Sequence, residues 1–178
     1  MELDIPTLTT ERLLLRPFRE SDVEPFCALM QDPEVVRFIG DRQVPTLEDC
    51  WRSIASWLGH WVLRGYGHWA AELRESGALI GRIGVHNPAE WPGPEVAYTL
   101  GRPYWGHGYA TEGARAAIDW AFGSTELPTL ISLIDPANTT SIGVAQRIGE
   151  TLRGETTLHE HRVLVYGIDR ATWESARG

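Results

Sequence analysis

Along the chain, apolar positions first follow strand spacing and then helical spacing, and the switches mark the elements. Arg12–Phe18 is rich in strand formers and closes at Pro17. Ser21 and Glu24 stand at capping-box spacing. Val23, Phe26, Cys27 and Met30 then recur at i, i+3, i+4, i+7, which predicts a helix ended by Asp32-Pro33. Thr46, with Asp49 in the first turn, opens a second helix. Its predicted core stripe is Leu47, Trp51, Ile54, Leu58, Trp61 and Val62, and Gly65 stops it. His68–Leu73 and Leu79–His86 flank the short turn Glu75-Ser76-Gly77, the pattern of an antiparallel hairpin. After a proline-bearing loop from Pro88 to Pro94, Glu95–Leu100 alternates as a third strand. A glycine-bearing loop, Gly101–Gly108, leads into a helix with the face Ala110, Ala114, Ala117, Ile118 and Ala121. Leu130–Ile134 is a short strand and Asn138–Ile148 a helix. The tail carries one or two strands, of which Arg162–Ile168 is the clearest.

Three antiparallel strands feeding a strand–loop–helix–strand–helix unit imply an α/β chain, with a mixed, mostly antiparallel sheet and helices on both faces. A doubly wound dinucleotide fold is excluded, because no glycine-rich turn follows the first strand. At 178 residues the expectation is a single domain over 1–178. Its 43% hydrophobic and 22% charged residues describe a globular protein.

The net charge of −8 argues against nucleic acid and against anionic membranes as partners, and no apolar run is long enough for a membrane span. The acidic start Met1-Glu2-Leu3-Asp4 lacks the pattern of a signal peptide, so a cytoplasmic location is expected. Cys27 and Cys50 give no metal spacing and read as small core residues. Trp51, Trp61 and Trp120 fall on or near helical core stripes. Trp57 and Trp91 do not, and either could wall a pocket for a cationic amine.

The stretch Trp105-Gly106-His107-Gly108-Tyr109-Ala110 lies between a strand and a helix. Unpaired amides at a helix N-terminus favour negative charge, and glycines let a phosphate come close. No Gly-Lys-Ser/Thr follows, so a pyrophosphate without hydrolysis chemistry fits better than a nucleotide γ-phosphate. On glycine spacing alone, a tight strand-to-helix turn is the favoured reading.

The neighbouring residues favour the phosphate reading. Tyr98 on the strand, with Trp105 to Glu112, resembles the cofactor motif of the GCN5-related N-acetyltransferase (GNAT) superfamily. Within it, the stretch is closest to the RimJ/RimL branch of ribosomal-protein N-terminal acetyltransferases. Gly108 and Ala110 fill the last two marked positions of the wider loop pattern, while Trp105 stands where Gln or Arg is usual. Downstream, Asn138, Ser141, Val144-Ala145 and Gly149 resemble the family's Asn-x-x-Ser-x-x-Val-Ala-x-x-x-Gly helix. Thr10-Glu11-Arg12-Leu13 looks like its first strand. After Gly149 the family often has Phe, and here Glu150 stands there.

The resemblance implies acetyl-CoA as cosubstrate, an amine acceptor, direct transfer without a metal, and a possible homodimer. Glu95 is the candidate base for the ammonium proton, with His86 as runner-up; Ser141 is the candidate proton donor to the departing thiolate. Tyr98, Thr99, Leu100, Trp105, Gly106, His107, Gly108, Tyr109, Ala110 and Asn138 are the candidate cofactor contacts. A backbone amide near Thr99 or Leu100 would meet the oxyanion, and the same strand edge would pair with the pantetheine arm. Glu112 matches the pattern as a structural residue. The alternative is a non-catalytic acyl-CoA-binding module of the same fold, which would need neither Glu95 nor Ser141. The acceptor, a protein N-terminus or a small amine, is left open, with the overall charge tilting toward a cationic one.

Overall fold

The computed structural model describes residues 4–177. Eight strands form one sheet in the order β1 (Leu8–Thr9), β2 (Leu13–Arg16), β3 (His68–Leu73), β4 (Leu79–His86), β5 (Glu95–Leu100), β6 (Thr129–Ile134), β8 (His161–Asp169), β7 (Thr151–Leu158). Every neighbouring pair is antiparallel except β5 and β6. Because successive strand residues point to opposite faces, β3 divides two cores. Ala70 joins the cluster of α1 (Val23–Met30), α2 (Pro33–Val36) and α3 (Leu47–Arg64). Trp69 and Ala71 join that of α4 (Tyr109–Ser124). A third cluster lies under α5 (Thr139–Arg147), and α6 (Arg170–Ser175) closes the chain.

The predicted hairpin and the α4 face are as expected: Ala114, Ala117, Ile118 and Ala121 are buried. Helix α4 sits so close to β4 that a Cβ at Gly113 would fall 2.3 Å from Ile83 Cδ1. The Thr46–Asp49 capping box closes α3 at its start, and Cys27 and Cys50 are buried and free.

Two local expectations are corrected, on the cap before α1 and the inner face of α3, and other elements are added. The turn before α1 is held by Asp22, whose Oδ2 accepts the Arg19 amide at 2.8 Å, and Ser21 is exposed. Asp32 does more than end α1, since its carboxylate accepts the Glu34 amide and caps α2. The buried stripe of α3 includes Cys50, Ile54, Trp57 and Trp61, whereas Leu47, Trp51 and Val62 are 52%, 49% and 56% exposed. That helix is apolar around so much of its circumference that spacing alone did not choose its inner face. Strand β1 and helix α6 lacked a readable pattern. Trp61, Trp69 and Trp120 do pack together, with ring centroids 4.9–5.3 Å apart.

Candidate active site

The site is built on the one parallel pair. Strands β5 and β6 are in register only at Glu95 and Ile131 and then part. At the parting point, side chains replace ladder hydrogen bonds. The Ser132 hydroxyl donates to the Val96 carbonyl at 3.0 Å, and Glu95 Oε1 accepts the Leu133 amide at 3.4 Å. Beyond it opens a cleft of ≈ 990 Å³.

Every sequence-predicted site residue lines this cleft except His107, which is exposed, stacks on Tyr109 and offers its carbonyl to Arg12. At one end lies the glycine loop. Gly106 and Gly108 have φ of +79° and +82°, a left-handed conformation that favours glycine. Among the described residues, no amide from Gly106 to Thr111 donates to a protein acceptor, while Glu112 N already closes the first helical turn on Gly108 O. Trp105 Nε1 donates to Leu100 O at 2.8 Å and ties the loop to its strand. From below, Glu112 accepts the Thr10 hydroxyl, the Arg12 amide and Arg12 Nε at 2.6–2.8 Å, which confirms it as structural.

Along the middle of the cleft, Gly101 N donates to Ile80 O, which sets the phase of the β4–β5 ladder. Amides alternate between edges in such a ladder. Those of Glu95, Ala97 and Thr99 therefore face β4, and those of Tyr98 and Leu100 face the gap. The candidate oxyanion donor is thus Leu100 or Tyr98, and not Thr99. Opposite, Asn138 caps α5 by accepting the Ser141 amide at 3.2 Å. This frees the Ser141 hydroxyl, which makes no hydrogen bond among the described residues. Tyr98 donates its hydroxyl to the Ser141 carbonyl at 3.1 Å, and its burial raises its pKa.

At the other end, Glu95 Oε2 accepts Trp91 Nε1–H at 2.9 Å. Burial pushes the Glu95 carboxyl up to about 7, against the opposing pull of the Trp91 hydrogen bond, the Arg82 charge and the Leu133 amide. Glu95 is therefore balanced between acid and base at neutral pH. His86 stacks between His60 and His68, and burial, then the Arg82 charge, lowers it to about 3. It stays neutral at neutral pH, which makes it a poor acceptor of an ammonium proton.

Trp57 and Trp91 both line the cleft, as expected of pocket walls, but each already has a partner there. Trp57 is buried in the α1–α3 cluster, and its ring is already covered by the Arg82 guanidinium at 5.1 Å. Trp91 serves to hold Glu95. Sequence reasoning missed Arg82, although a charge within the apolar run Ile80–Val85 is a readable signal. It also passed over His159, at the β7–β8 turn beside Trp91, and noted Glu150 only as a departure from the family's Phe, not as a buried acid. Neither Glu150 carboxylate oxygen has a hydrogen-bond partner; burial pushes the acid up to about 8, with the nearby Ser132 hydroxyl opposing and Glu95 adding to the shift.

A parted β5–β6 pair with unspent amides at a helix N-terminus suits an extended cofactor with an anionic end. The acetyltransferase (GNAT) domain family matches residues 12–151, and the chain belongs to this family. It is similar to the Bacillus subtilis protein YkkB, 34% identical over 150 residues, 80% of this chain and 83% of that one. An acetyltransferase from Agrobacterium tumefaciens has the same fold with a TM-score of 0.82 and 36% identity, over 94% of this chain and 96% of that one. The ribosomal-protein-S5-alanine acetyltransferase from Vibrio fischeri shares the fold at 17% identity, with a TM-score of 0.78 over 95% and 99% of the two chains. The chain is an acyltransferase, and its fold implies acetyl-CoA as the cosubstrate. Among the described residues there is no metal-binding cluster, and no helix is long and apolar enough to cross a membrane.

Proposed function

We propose that the protein moves the acetyl group of acetyl-CoA directly to a primary α-amine, with Glu95 as general base and Ser141 on the thiol side. The observation that carries this is one continuous cleft with unspent loop amides at one end and a carboxyl poised near neutrality at the other. The amides from Gly106 to Ala110 suit a pyrophosphate, and the edge of β5 suits the amides of an extended arm. Acetyl-CoA supplies an activated acyl group whose C–S bond breaks as the C–N bond forms.

The acceptor arrives as an ammonium, with an unperturbed pKa of about 8 for an α-amine. Glu95 takes one proton and passes it to solvent. The second amine proton is released after attack and reaches the departing sulfur through the Ser141 hydroxyl. The hydroxyl hands one proton on and takes one back, so that the cofactor leaves as a neutral thiol and the serine is unchanged. Positioning and proton removal together do the work that a covalent intermediate would otherwise do. The likeness of Trp105–Glu112 to the RimJ/RimL branch supports an α-amine, on a protein N-terminus or a small molecule.

Calorimetric titration with acetyl-CoA, beside dephospho-CoA and ATP, tests the cofactor half. Selective saturable binding is expected, and its absence overturns the reading. Thiol release in the presence of amines tests the transfer half.

A further inference from the structure

Resting on that reading, we infer that Arg82 is a specificity residue: it binds a carboxylate on the acceptor, so that the substrate is a free amino acid and not a peptide N-terminus or a simple amine.

Arg82, Gly84 and His86 lie on the same face of β4, opposite Thr99, Ala97 and Glu95. The middle of that face, where Gly84 meets Ala97, carries nothing larger than a methyl group. Arg82 lines the cleft there with Glu95, His68, His86, Trp57 and Trp91. Its only hydrogen-bonding partner among the described residues is the His68 ring, with Nε2 at 2.8 Å from Nη1. A guanidinium donates and cannot accept, so Nε2 is the acceptor and His68 is neutral.

No carboxylate among the described residues comes within ion-pair distance of Arg82, in contrast to Arg16, which has two. Burial correspondingly lowers Arg82 to about 10, with the Glu95 charge opposing. Most of the five guanidinium N–H groups are thus unspent in a partly desolvated place, where an unpaired charge is costly.

The other charged and titratable groups at this end do not supply the missing anion. His60 donates through Nδ1 to the Tyr66 carbonyl and accepts the Asn87 amide at Nε2, which makes it the neutral tautomer. His86 is neutral, and Glu34 is already paired with Arg37. Asp135, a further carboxylate in the cleft lining, is already paired with Arg42 at 2.7 Å, and His159 is not an anion whether neutral or protonated. Glu95 alone balances Arg82, without contact, and that balance is lost whenever Glu95 holds the proton it has removed.

A bare monocationic amine would meet the repulsion of Arg82, although the whole chain carries −8. A zwitterion brings an ammonium for Glu95 and a carboxylate for Arg82, and leaves the net charge of the site unchanged. A phosphate dianion would leave an excess negative charge. In a peptide the α-carboxylate has been consumed, so a protein N-terminus has no α-carboxylate to set against Arg82.

The test measures acetyl-CoA-dependent thiol release with leucine, methionine and phenylalanine against their carboxamides. These side chains suit the Phe38, Trp91 and Leu158 walls. O-phosphoethanolamine and 2-phenylethylamine complete the set. The acids should exceed their amides in kcat/KM by about tenfold or more, the scale of a charged hydrogen bond. This holds although the lower amine pKa of the amides favours them chemically. In Arg82→Gln the acid-to-amide ratio should fall toward one, with partial recovery in Arg82→Lys. An unchanged acetyl-CoA affinity by calorimetry shows that each variant folds.

Amides or 2-phenylethylamine equal to the acids overturn the inference, as does a preference for O-phosphoethanolamine or no turnover of any acid by a protein that binds acetyl-CoA. Failure to bind acetyl-CoA overturns the underlying functional reading instead.

Discussion

Trp91 Nε1 donates to Glu95 Oε2 at 2.9 Å, while the other carboxylate oxygen takes the Leu133 amide where β5 and β6 separate. One carboxylate thus holds the strands at their parting point and faces the cleft as its candidate base. Both hydrogen bonds favour its charged form and oppose the burial that raises it to about 7. In Trp91→Phe, removal of one bond should move the acidic limb of the pH–rate profile upward, by about one pH unit or less, the equivalent of roughly 1 kcal/mol. Activity should fall at pH 7 and recover by pH 8.5. Glu95→Gln should lose that limb and about 10²-fold in kcat at neutral pH, with recovery where the amine is already deprotonated. A limb that stays in place in both variants assigns the titration to another group.

At Gly108 the backbone sits at φ +82°, with Arg12 Nη2 3.5 Å from an added Cβ. Alanine there meets no clash, only a left-handed conformation worth about 1–2 kcal/mol. Gly108→Ala should weaken acetyl-CoA binding moderately. Gly108→Asp adds a negative charge beside the site of the pyrophosphate and should lower affinity by about 100-fold or more. Calorimetry reads both, and equal affinities would show that the amides bind no anion.

Asn138, not Ser141, caps α5, so loss of the Ser141 hydroxyl should leave the helix intact. Ser141→Ala is expected to lower kcat by about tenfold or more, with melting temperature and acetyl-CoA affinity little changed. A large affinity loss with intact turnover would make it a binding residue.

Far from the cleft, Arg16 is pinned between Asp22 at 2.7 Å and Glu72 at 2.7 Å, with the Arg16–Asp22 pair buried. Burial by itself would raise the Asp22 carboxyl, but the Arg16 guanidinium and the Arg19 amide bring it below its ordinary range. A carboxyl lowered on folding contributes stability above its unfolded pKa of about 3.9, and loses it as the pH falls through the lower folded value. Asp22→Asn should cost about 3 kcal/mol at pH 7 and flatten the acid end of the melting-temperature profile. Thermal melts from pH 7 to 2.5 check both.

The sequence by itself determined the order of the main elements, the glycine loop at the start of α4, and the helix opened by Asn138. These are local facts: apolar spacing, turn residues and caps are written within a few positions of the structure they produce. Glu95, Gly108 and Ser141 became legible as site candidates through the resemblance of these local motifs to the GNAT superfamily, not through spacing alone. Where two apolar stripes compete on one helix, as in α3, the pattern has no unique answer, and packing chose Trp57 over Trp51.

Only the tertiary structure decided what Glu95 touches, because Trp91 reaches it from a loop and Leu133 from a neighbouring strand, with the Arg82 charge acting from a distance. The phase of the β4–β5 ladder chose Leu100 over Thr99 as candidate oxyanion donor and added Tyr98, and no residue pattern carries that phase. Arg82 stood in the sequence as a charge in an apolar strand. That it lies in the cleft with His68 as its only hydrogen-bonding partner among the described residues is a property of how β3, β4 and α3 meet. Desolvation depends on those distant neighbours. It sets the protonation of Glu95 and leaves the Arg82 charge unpaired, and so it decides the chemistry of the site.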